Sequence, residues 1–480
     1  PGQRAMAGEV YKVCRDGGQL LCQAPTGIGK SMSVLFPALK SMGNESVGPI
    51  FYLTARGTTR TAAENALAIL RDTEPELHLR SVTLTAKDKI CLCETRECTP
   101  EACPYANGYY ARIKGALWDV LDVPCLTAET LQEYAKRHTV CPFELGLDSS
   151  LWSDVIIGDY NYLFDPVVHL VRFFESAGDY IFLVDEAHNL PGRAREMHSA
   201  ALTKTSFYEA KKLLGKGKSS LKNALTKVND VFIEWRHRAE EETAARDGRF
   251  GKTFFLKERS EEFDHLLNRL CEPLEAWLDA HREPDETHTA LLQLYFDVRA
   301  WLRVADTFDD HFVLQITASG SEVRAAQLCL DPSAFLADSF ALGRAAVLFS
   351  ATLAPASYYK DLCGVPEARA VALRSPFPAG NQGLFCIGNV STRYKDRDAS
   401  LAIVEESLAT MVRARCGNYL AFFPSYAYME QAYAQFKEHC PEINCIKQEN
   451  AMDEQQKAAF LAQFVPGPSQ TLLGFAVMGG

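Results

Sequence analysis

Short apolar runs alternate with segments of helical period over the first part of the chain. Residues 19–23 and 49–54 read as strands, and residues 31–42 and 59–72 as helices. Such alternation predicts a parallel α/β sheet. Between residues 87 and 142 the pattern gives way to turn residues and cysteines. Apolar strand-like runs resume at 155–157 and 180–184. From 206 to 303 the text is mostly amphipathic helix, with Phe263, Leu266, Leu267 and Leu270 at spacings of three and four. Strand-like text returns at 311–317 and 345–349, and a last α/β stretch runs from 417 to the end. No repeat or low-complexity linker interrupts it. The expected fold class is α/β. A first domain is built from residues 1–84, 146–202 and 341–390. It is interrupted by a cysteine-rich insert, 85–145, and a helical insert, 203–340. A second α/β domain begins at 391 and is incomplete at 480.

Composition adds limits. At roughly 150 residues per domain, 480 residues suggest about three domains. The chain is 47% hydrophobic and 23% charged, which is ordinary for a globular protein. It holds no apolar run of about 18 residues and opens on no basic-then-apolar leader, so neither a membrane span nor secretion is expected. The net charge of −11 argues against a surface coated by nucleic acid but leaves room for a local basic groove. Both ends read as cut: the first residue is Pro1 rather than Met, and Gly479-Gly480 follow a strand-like run at once.

The candidate chemistry begins after the first strand. Ala24-Pro25-Thr26-Gly27-Ile28-Gly29-Lys30-Ser31 places two glycines, a lysine and a hydroxyl between a strand and a helix. Glycines let backbone N–H groups turn toward phosphate at a helix start; the lysine meets the β- and γ-phosphates, and the hydroxyl meets Mg²⁺. The strict motif opens on glycine, where this chain has Ala24. Asp185-Glu186-Ala187-His188 follows the apolar run 180–184. A strand end there would give Asp185 to Mg²⁺ and Glu186 to the attacking water. These residues predict an ATP-hydrolysis site. Ser350-Ala351-Thr352, after another apolar run, offers hydroxyls to His188 and so a coupling between nucleotide and neighbouring segments.

Fifteen cysteines is a high, odd count, and metal or cluster ligation explains a tight group better than disulfides. Cys91, Cys98, Cys103 and Cys141 are spaced C-x6-C-x4-C-x37-C, with Cys93 and Cys125 among them. Four thiolates suit either a four-iron cluster or tetrahedral zinc. The paired C-x-x-C knuckles common at zinc do not occur.

Together these motifs resemble the superfamily-two helicases, and the cysteine insert narrows the resemblance to the iron–sulfur, XPD/DinG-like family, with the bacterial branch nearest. Matching stretches are Phe51-Tyr-Leu-Thr-Ala-Arg56, Cys141-Pro-Phe143, Asp159-Tyr-Asn-Tyr-Leu-Phe-Asp165, Leu183-Val-Asp-Glu-Ala-His-Asn189, Phe349-Ser-Ala-Thr-Leu353 and Ser375-Pro-Phe377. The resemblance implies RecA-like motor domains, a 4Fe–4S cluster and an arch-like helical insert. It implies that Gln3 reads adenine, and that arginines reaching the γ-phosphate belong to a later element absent from these 480 residues. It favours Cys91, Cys98, Cys103 and Cys141 as cluster ligands; Cys93 competes for the second place but lies one residue from Cys91. The cluster is expected to staple a small segment rather than to do redox work on a substrate.

Single-strand channels combine cations with aromatics. The candidates here are Thr54, Arg56, Tyr160, Tyr162 and Arg112, the last within the run Tyr109-Tyr110-Ala111-Arg112-Ile113-Lys114. The lysines from 204 to 227 are more simply a solvated helix face. The reading is a monomeric, cytoplasmic bacterial DNA helicase that uses ATP and Mg²⁺ on single-stranded and duplex or forked DNA, 5′ to 3′ by resemblance, in repair or replication. Its rivals are a translocase that separates no duplex, and a fragment that binds nucleotide and DNA without turnover.

Overall fold

The computed structural model describes residues 2–43, 47–55, 57–74, 76–217, 219–245, 252–282, 285–391, 393, 396–452 and 454–477. The chain divides into two compact units, Pro1–Pro376 and Phe377–Gly480. The strands, in chain order, are β1 Gly18–Gln23, β2 Ile50–Thr54, β3 Ser81–Thr83, β4 Cys125–Leu126, β5 Val155–Asp159, β6 Ile181–Asp185, β7 Ala200–Thr203, β8 Lys252–Leu256, β9 Phe312–Ser319, β10 Glu322–Cys329, β11 Ala345–Ser350, β12 Arg369–Ala372, β13 Asn418–Phe423, β14 Asn444–Lys447 and β15 Leu472–Val477.

The first unit is organised by a parallel sheet in the order β12-β1-β11-β6-β2-β5-β3-β4. Its central strands are apolar throughout because both faces are covered. Leu20, Cys22, Tyr52, Leu183 and Val347 face the layer formed by helix Gly2–Asp16 and helix Lys30–Ser41. Leu21, Phe51, Phe182, Val184 and Leu348 face the opposite core. Register decides what meets at the strand ends. Gln23 of β1 pairs with Ser350 of β11, and Phe349 of β11 with Asp185 of β6. The loop after β1, the acids after β6 and the hydroxyls after β11 therefore emerge side by side. That carboxyl edge is where open α/β sheets bind ligands.

The cysteine-rich segment has no core of its own. Ile113, Ala116 and Val120 of helix Tyr109–Val120, with Leu131, Ala135, Val140 and Leu145, join the same apolar cluster as Phe51 and Ile156 of the sheet. Its short β4 extends that sheet beside β3. The amide of Thr130 donates to the Thr127 side-chain oxygen at 3.3 Å, capping helix Ala128–His138.

The segment expected as a helical insert carries its helices and also an antiparallel sheet, β7-β10-β9-β8. The inward positions of β9 alternate as Phe312, Leu314, Ile316 and Ala318. Helix Glu261–Ala280 starts on a Ser260 cap and helix Glu286–Asp306 on an Asp285 cap. Between them and helix Ser220–Ala245, the rings of Phe232, Trp235, Phe263 and Trp301 pack edge to face or tilted, in a core separate from the parallel sheet. Trp301 is fully buried, and its indole N–H donates to Asp264 Oδ1 at 2.8 Å.

The second unit holds a parallel sheet, β13-β15-β14, with helices Arg397–Ala414 and Tyr426–His439 on it. Phe475 of β15 stacks on Phe423 of β13.

One backbone position in the first unit is set by glycine. Gly364 follows helix Ala356–Leu362 with φ of +67°, and an added Cβ would stand against the Ser333 carbonyl oxygen and 2.8 Å from the Ala337 nitrogen. Gly364→Ala is expected to destabilise the unit by about 1–3 kcal/mol from the left-handed backbone alone, with the backbone clash adding to it. Thermal melting checks this; an unchanged midpoint would contradict it.

Candidate nucleotide site and cysteine cluster

The loop expected to bind phosphate joins β1 to helix Lys30–Ser41 through glycines at left-handed φ, +81° at Gly27 and +73° at Gly29. The Ala24 amide donates to the Ser350 carbonyl at 2.8 Å and anchors the loop to the sheet edge. Gln3, on the first helix, reaches over this loop: a Cβ at Gly29 would lie 2.6 Å from the Gln3 amide nitrogen.

Lys30, Ser31, Asp185 and Glu186 meet at this edge. Lys30 Nζ lies 3.6 Å from Glu186 Oε1. The Asp185 carboxylate accepts the Glu186 amide at 2.8 Å and the Tyr52 hydroxyl at 2.6 Å. Burial raises the Asp185 pKa, the Tyr52 hydrogen bond opposes this, and the neighbouring Glu186 adds to it. Glu186 has φ of +49°, an uncommon backbone for a non-glycine residue and one that collects at functional sites. Its Oε2 accepts from Ser350 Oγ at 3.0 Å, and His188 Nδ1 lies 2.7 Å from the same Ser350 oxygen. Ser350 thus touches both Glu186 and His188, while Thr352 is exposed and only its amide approaches Ser350 Oγ, at 3.5 Å. Pro25, Thr26 and Ile28 complete the loop, Ile28 turned into the core. The oxygens of Ser31 and Asp185 are hard donors of the kind Mg²⁺ takes.

Several residues expected at DNA are placed elsewhere. Tyr160 is 0% exposed, and its hydroxyl donates to the backbone carbonyls of Asp185 and of Glu186. It braces the acidic turn from beneath and offers no ring face to a base. Tyr162 is buried in the same cluster. Thr54 is buried with its hydroxyl against that of Thr59. The Arg112 guanidinium donates to the carbonyls of Thr139 at 3.0 Å, Pro104 at 3.1 Å and Asn107, tying the loop after Cys103 to the turn before Cys141. Arg56 lies outside the described residues. The exposed residues of helix Tyr109–Val120 include Tyr110, Lys114 and Trp118, four apart and so on one face, with Ala111, Gly115 and Asp119 beside them. Tyr110 is 88% and Trp118 75% exposed. The run 109–114 points to this face in sequence, and the same helical spacing extends it to Trp118.

Helix Lys87–Ile90 leads into the cysteines, and Lys87 lies near Cys98 and Cys141. Cys93 Sγ lies 3.9 Å from Cys103 Sγ, and burial, then Cys103 and Cys91, push the Cys93 pKa up to about 11. Burial lowers the Lys87 pKa, but Cys98, Glu144 and Cys141 beside it raise it by more. Burial also raises the Cys141 thiol, against donation from the backbone at Phe143 and Glu144 and the charge of Lys87. Among the described residues no three His, Cys, Asp or Glu side chains form a group ready to hold a metal ion. Cys93 and Cys103 form a close thiol pair within the segment. No described helix is long and apolar enough to cross a membrane.

The DEAD_2 family model matches residues 73–207, and the Helicase C-terminal domain model matches residues 408–480. The chain is 24% identical over 419 residues to the general transcription and DNA repair factor IIH helicase subunit XPD of Schizosaccharomyces pombe, covering 72% of this chain and 52% of that protein. It is 22% identical over 544 residues to the XPD/RAD3 subunit of Saccharomyces cerevisiae, covering 89% and 68%. Over 157 residues it is 27% identical to a regulator of telomere elongation helicase 1 homolog of Anopheles gambiae, covering 30% of this chain and 16% of that protein. A solved XPD helicase aligns with TM-score 0.56 at 17% identity, over 100% of this chain and 80% of its own. The Xpd4 structure of S. tokodaii aligns with TM-score 0.56 at 15% identity, covering 99% and 80%. The fold is that of the XPD helicases with their RecA-like domains, and the chain spans about half or less of the length of the curated relatives of Schizosaccharomyces pombe and Anopheles gambiae that it matches.

Proposed function

We propose that this chain is the nucleotide-binding part of an ATP-dependent DNA helicase. The observation that carries the reading is the meeting of Lys30, Ser31, Asp185 and Glu186 at the carboxyl edge of one parallel sheet. In this assignment the loop amides from Gly27 to Ser31 and the Lys30 ammonium hold the β- and γ-phosphates. Ser31 and Asp185 hold Mg²⁺, which neutralises phosphate charge when bound. Glu186 accepts a proton from the attacking water, held in place by the Ser350 hydroxyl. His188 and Ser350 link that carboxylate to β11, and Gln3 is placed for the base. Strand displacement measured beside ATP turnover tests the reading; turnover without displacement would make the protein a translocase instead. Polarity of 5′ to 3′, a role in repair or replication, monomeric action and a bacterial cytoplasmic setting follow from the resemblance alone.

The DNA track is assigned to the outward face of helix Tyr109–Val120. Two exposed aromatic rings flanking a lysine suit stacking on bases beside a phosphate contact. Tyr110→Ala and Trp118→Ala are each expected to weaken single-stranded DNA binding by about 1–3 kcal/mol. Fluorescence anisotropy with an oligonucleotide reads this, and wild-type affinity in the double variant would refute the assignment.

Cys91, Cys98, Cys103 and Cys141, with Cys93 as the alternative second ligand, are assigned to a 4Fe–4S cluster. Support comes from the concentration of thiols around residues 87–103 and 141 and from the resemblance. The cluster, when bound, would tie two stretches of a segment that lacks its own core. Anaerobic purification is expected to give a brown protein with about four irons per chain, lost in Cys103→Ser. A colourless protein carrying zinc would exclude the cluster.

A further inference from the structure

Tyr52 sits on β2, away from both sequence motifs, yet its hydroxyl stands between them. It donates to Asp185 Oδ2 at 2.6 Å and lies 3.3 Å from Ser31 Oγ. A phenol has one proton to donate, so with that proton on Asp185 it accepts from Ser31. The ring is fully buried and packs edge-on to Phe349 of β11, so the hydroxyl has a fixed position. β2 is hydrogen-bonded to β6 along residues 50–53, which sets Tyr52 opposite Leu183 and two residues short of Asp185. Burial, then the Asp185 charge, holds the phenol far from ionisation.

We propose that Tyr52 is a positioning residue that pre-sets Ser31 and Asp185 as a pair for the divalent cation that accompanies the nucleotide. Its hydroxyl holds the two oxygens on a common partner before the metal arrives, and with the Glu186 amide on Oδ1 it fixes the orientation of the Asp185 carboxylate. Outer partners of this kind typically change metal affinity by about 10- to 100-fold when removed. The inference rests on the nucleotide reading above.

The test compares the wild-type chain with Tyr52→Phe, which deletes only the oxygen. Free Mn²⁺ is followed by electron paramagnetic resonance in the presence of saturating ADP, and ADP affinity is measured separately in EDTA. The expected result is a Mn²⁺ dissociation constant raised about 10- to 100-fold, with metal-free ADP affinity unchanged. Steady-state turnover should regain most of its rate at high Mg²⁺, since the defect lies in metal occupancy. The gain in melting temperature from Mn²⁺-ADP over ADP alone, read within each variant, gives the same comparison even where Tyr52→Phe lowers overall stability. Equal Mn²⁺ affinity in the two proteins would overturn the role of Tyr52 and leave the nucleotide site standing. A wild-type chain that binds neither ADP nor Mn²⁺-ADP would overturn the site and this inference with it.

Discussion

Glu186→Gln is expected to stop ATP turnover while leaving ATP bound. The amide keeps the size of the side chain and a group for Ser350 Oγ, now 3.0 Å from Oε2, but it cannot take a proton from water. Loss of a positioned general base typically costs about 10²- to 10⁴-fold in rate. Lys30→Ala should fail differently. Lys30 Nζ, 3.6 Å from Glu186, is the cation assigned to the phosphates, so its loss should weaken nucleotide binding as well as turnover. Phosphate release under single-strand stimulation, set beside equilibrium binding of a fluorescent ATP analogue, separates the two. A Glu186→Gln protein that releases phosphate at the wild-type rate would remove Glu186 from the chemistry.

Trp301→Ala should produce the largest loss of stability, confined to the insert. Trp301 fills the centre of a core shared with Phe263, and truncating a buried tryptophan typically costs about 3–5 kcal/mol. A second effect follows from Asp264. Its Oδ1 would lose the indole N–H, and its Oδ2 already has no hydrogen-bond partner, with Arg259 Nη1 at 3.9 Å. Burial raises the Asp264 pKa and the Trp301 hydrogen bond pulls it down, so removing the indole raises it further. A carboxyl with a raised folded pKa favours the fold while protonated and loses that contribution as pH rises through the folded value. The Trp301→Ala penalty should therefore be larger at neutral pH than below the ordinary aspartate pKa of about 3.9. Trp301→Phe isolates the hydrogen bond, and Asp264→Asn in the Trp301→Ala background should recover part of the loss. Denaturant titration at two pH values checks this; a pH-independent penalty would show that only the cavity matters.

The parts of the site legible in sequence are those whose chemistry sits on contiguous residues. Residues 24–31 and 185–188 each suggest a use from contiguous residue types, although Ser350 and Tyr160, distant in the chain, hold them in place. Tyr52 was not legible as part of the site. Its value comes from strand register, which aligns β2 with β6, and no local pattern marks one tyrosine in an apolar strand. Tyr160 misled for the converse reason. An aromatic after a strand end looks ready to stack, but the turn folds its ring under Asp185 and Glu186. Arg112 looked like a phosphate ligand and instead holds three backbone carbonyls, since the tertiary loop around it has orphan acceptors to satisfy. The fold class followed from period alone. The sheet within the insert did not, because β7 and β8 are short and their partners in β9 and β10 lie far along the chain.

The cysteine-rich segment shares its apolar core with the parallel sheet, and this has a mechanical meaning. Tyr110 and Trp118 ride on a helix whose inner face, Ile113, Ala116 and Val120, is lodged in the same cluster as the strands. Tyr109 and Arg172 both bind Asp148, at 2.8 and 3.0 Å, and clamp that helix to the body. The outer rings are thus joined to the sheet through packed side chains. A pull on a base at the proposed Trp118 contact would be borne as load by the sheet whose carboxyl edge bears the candidate nucleotide site, much as a tooth transmits force to the gear it is cut from.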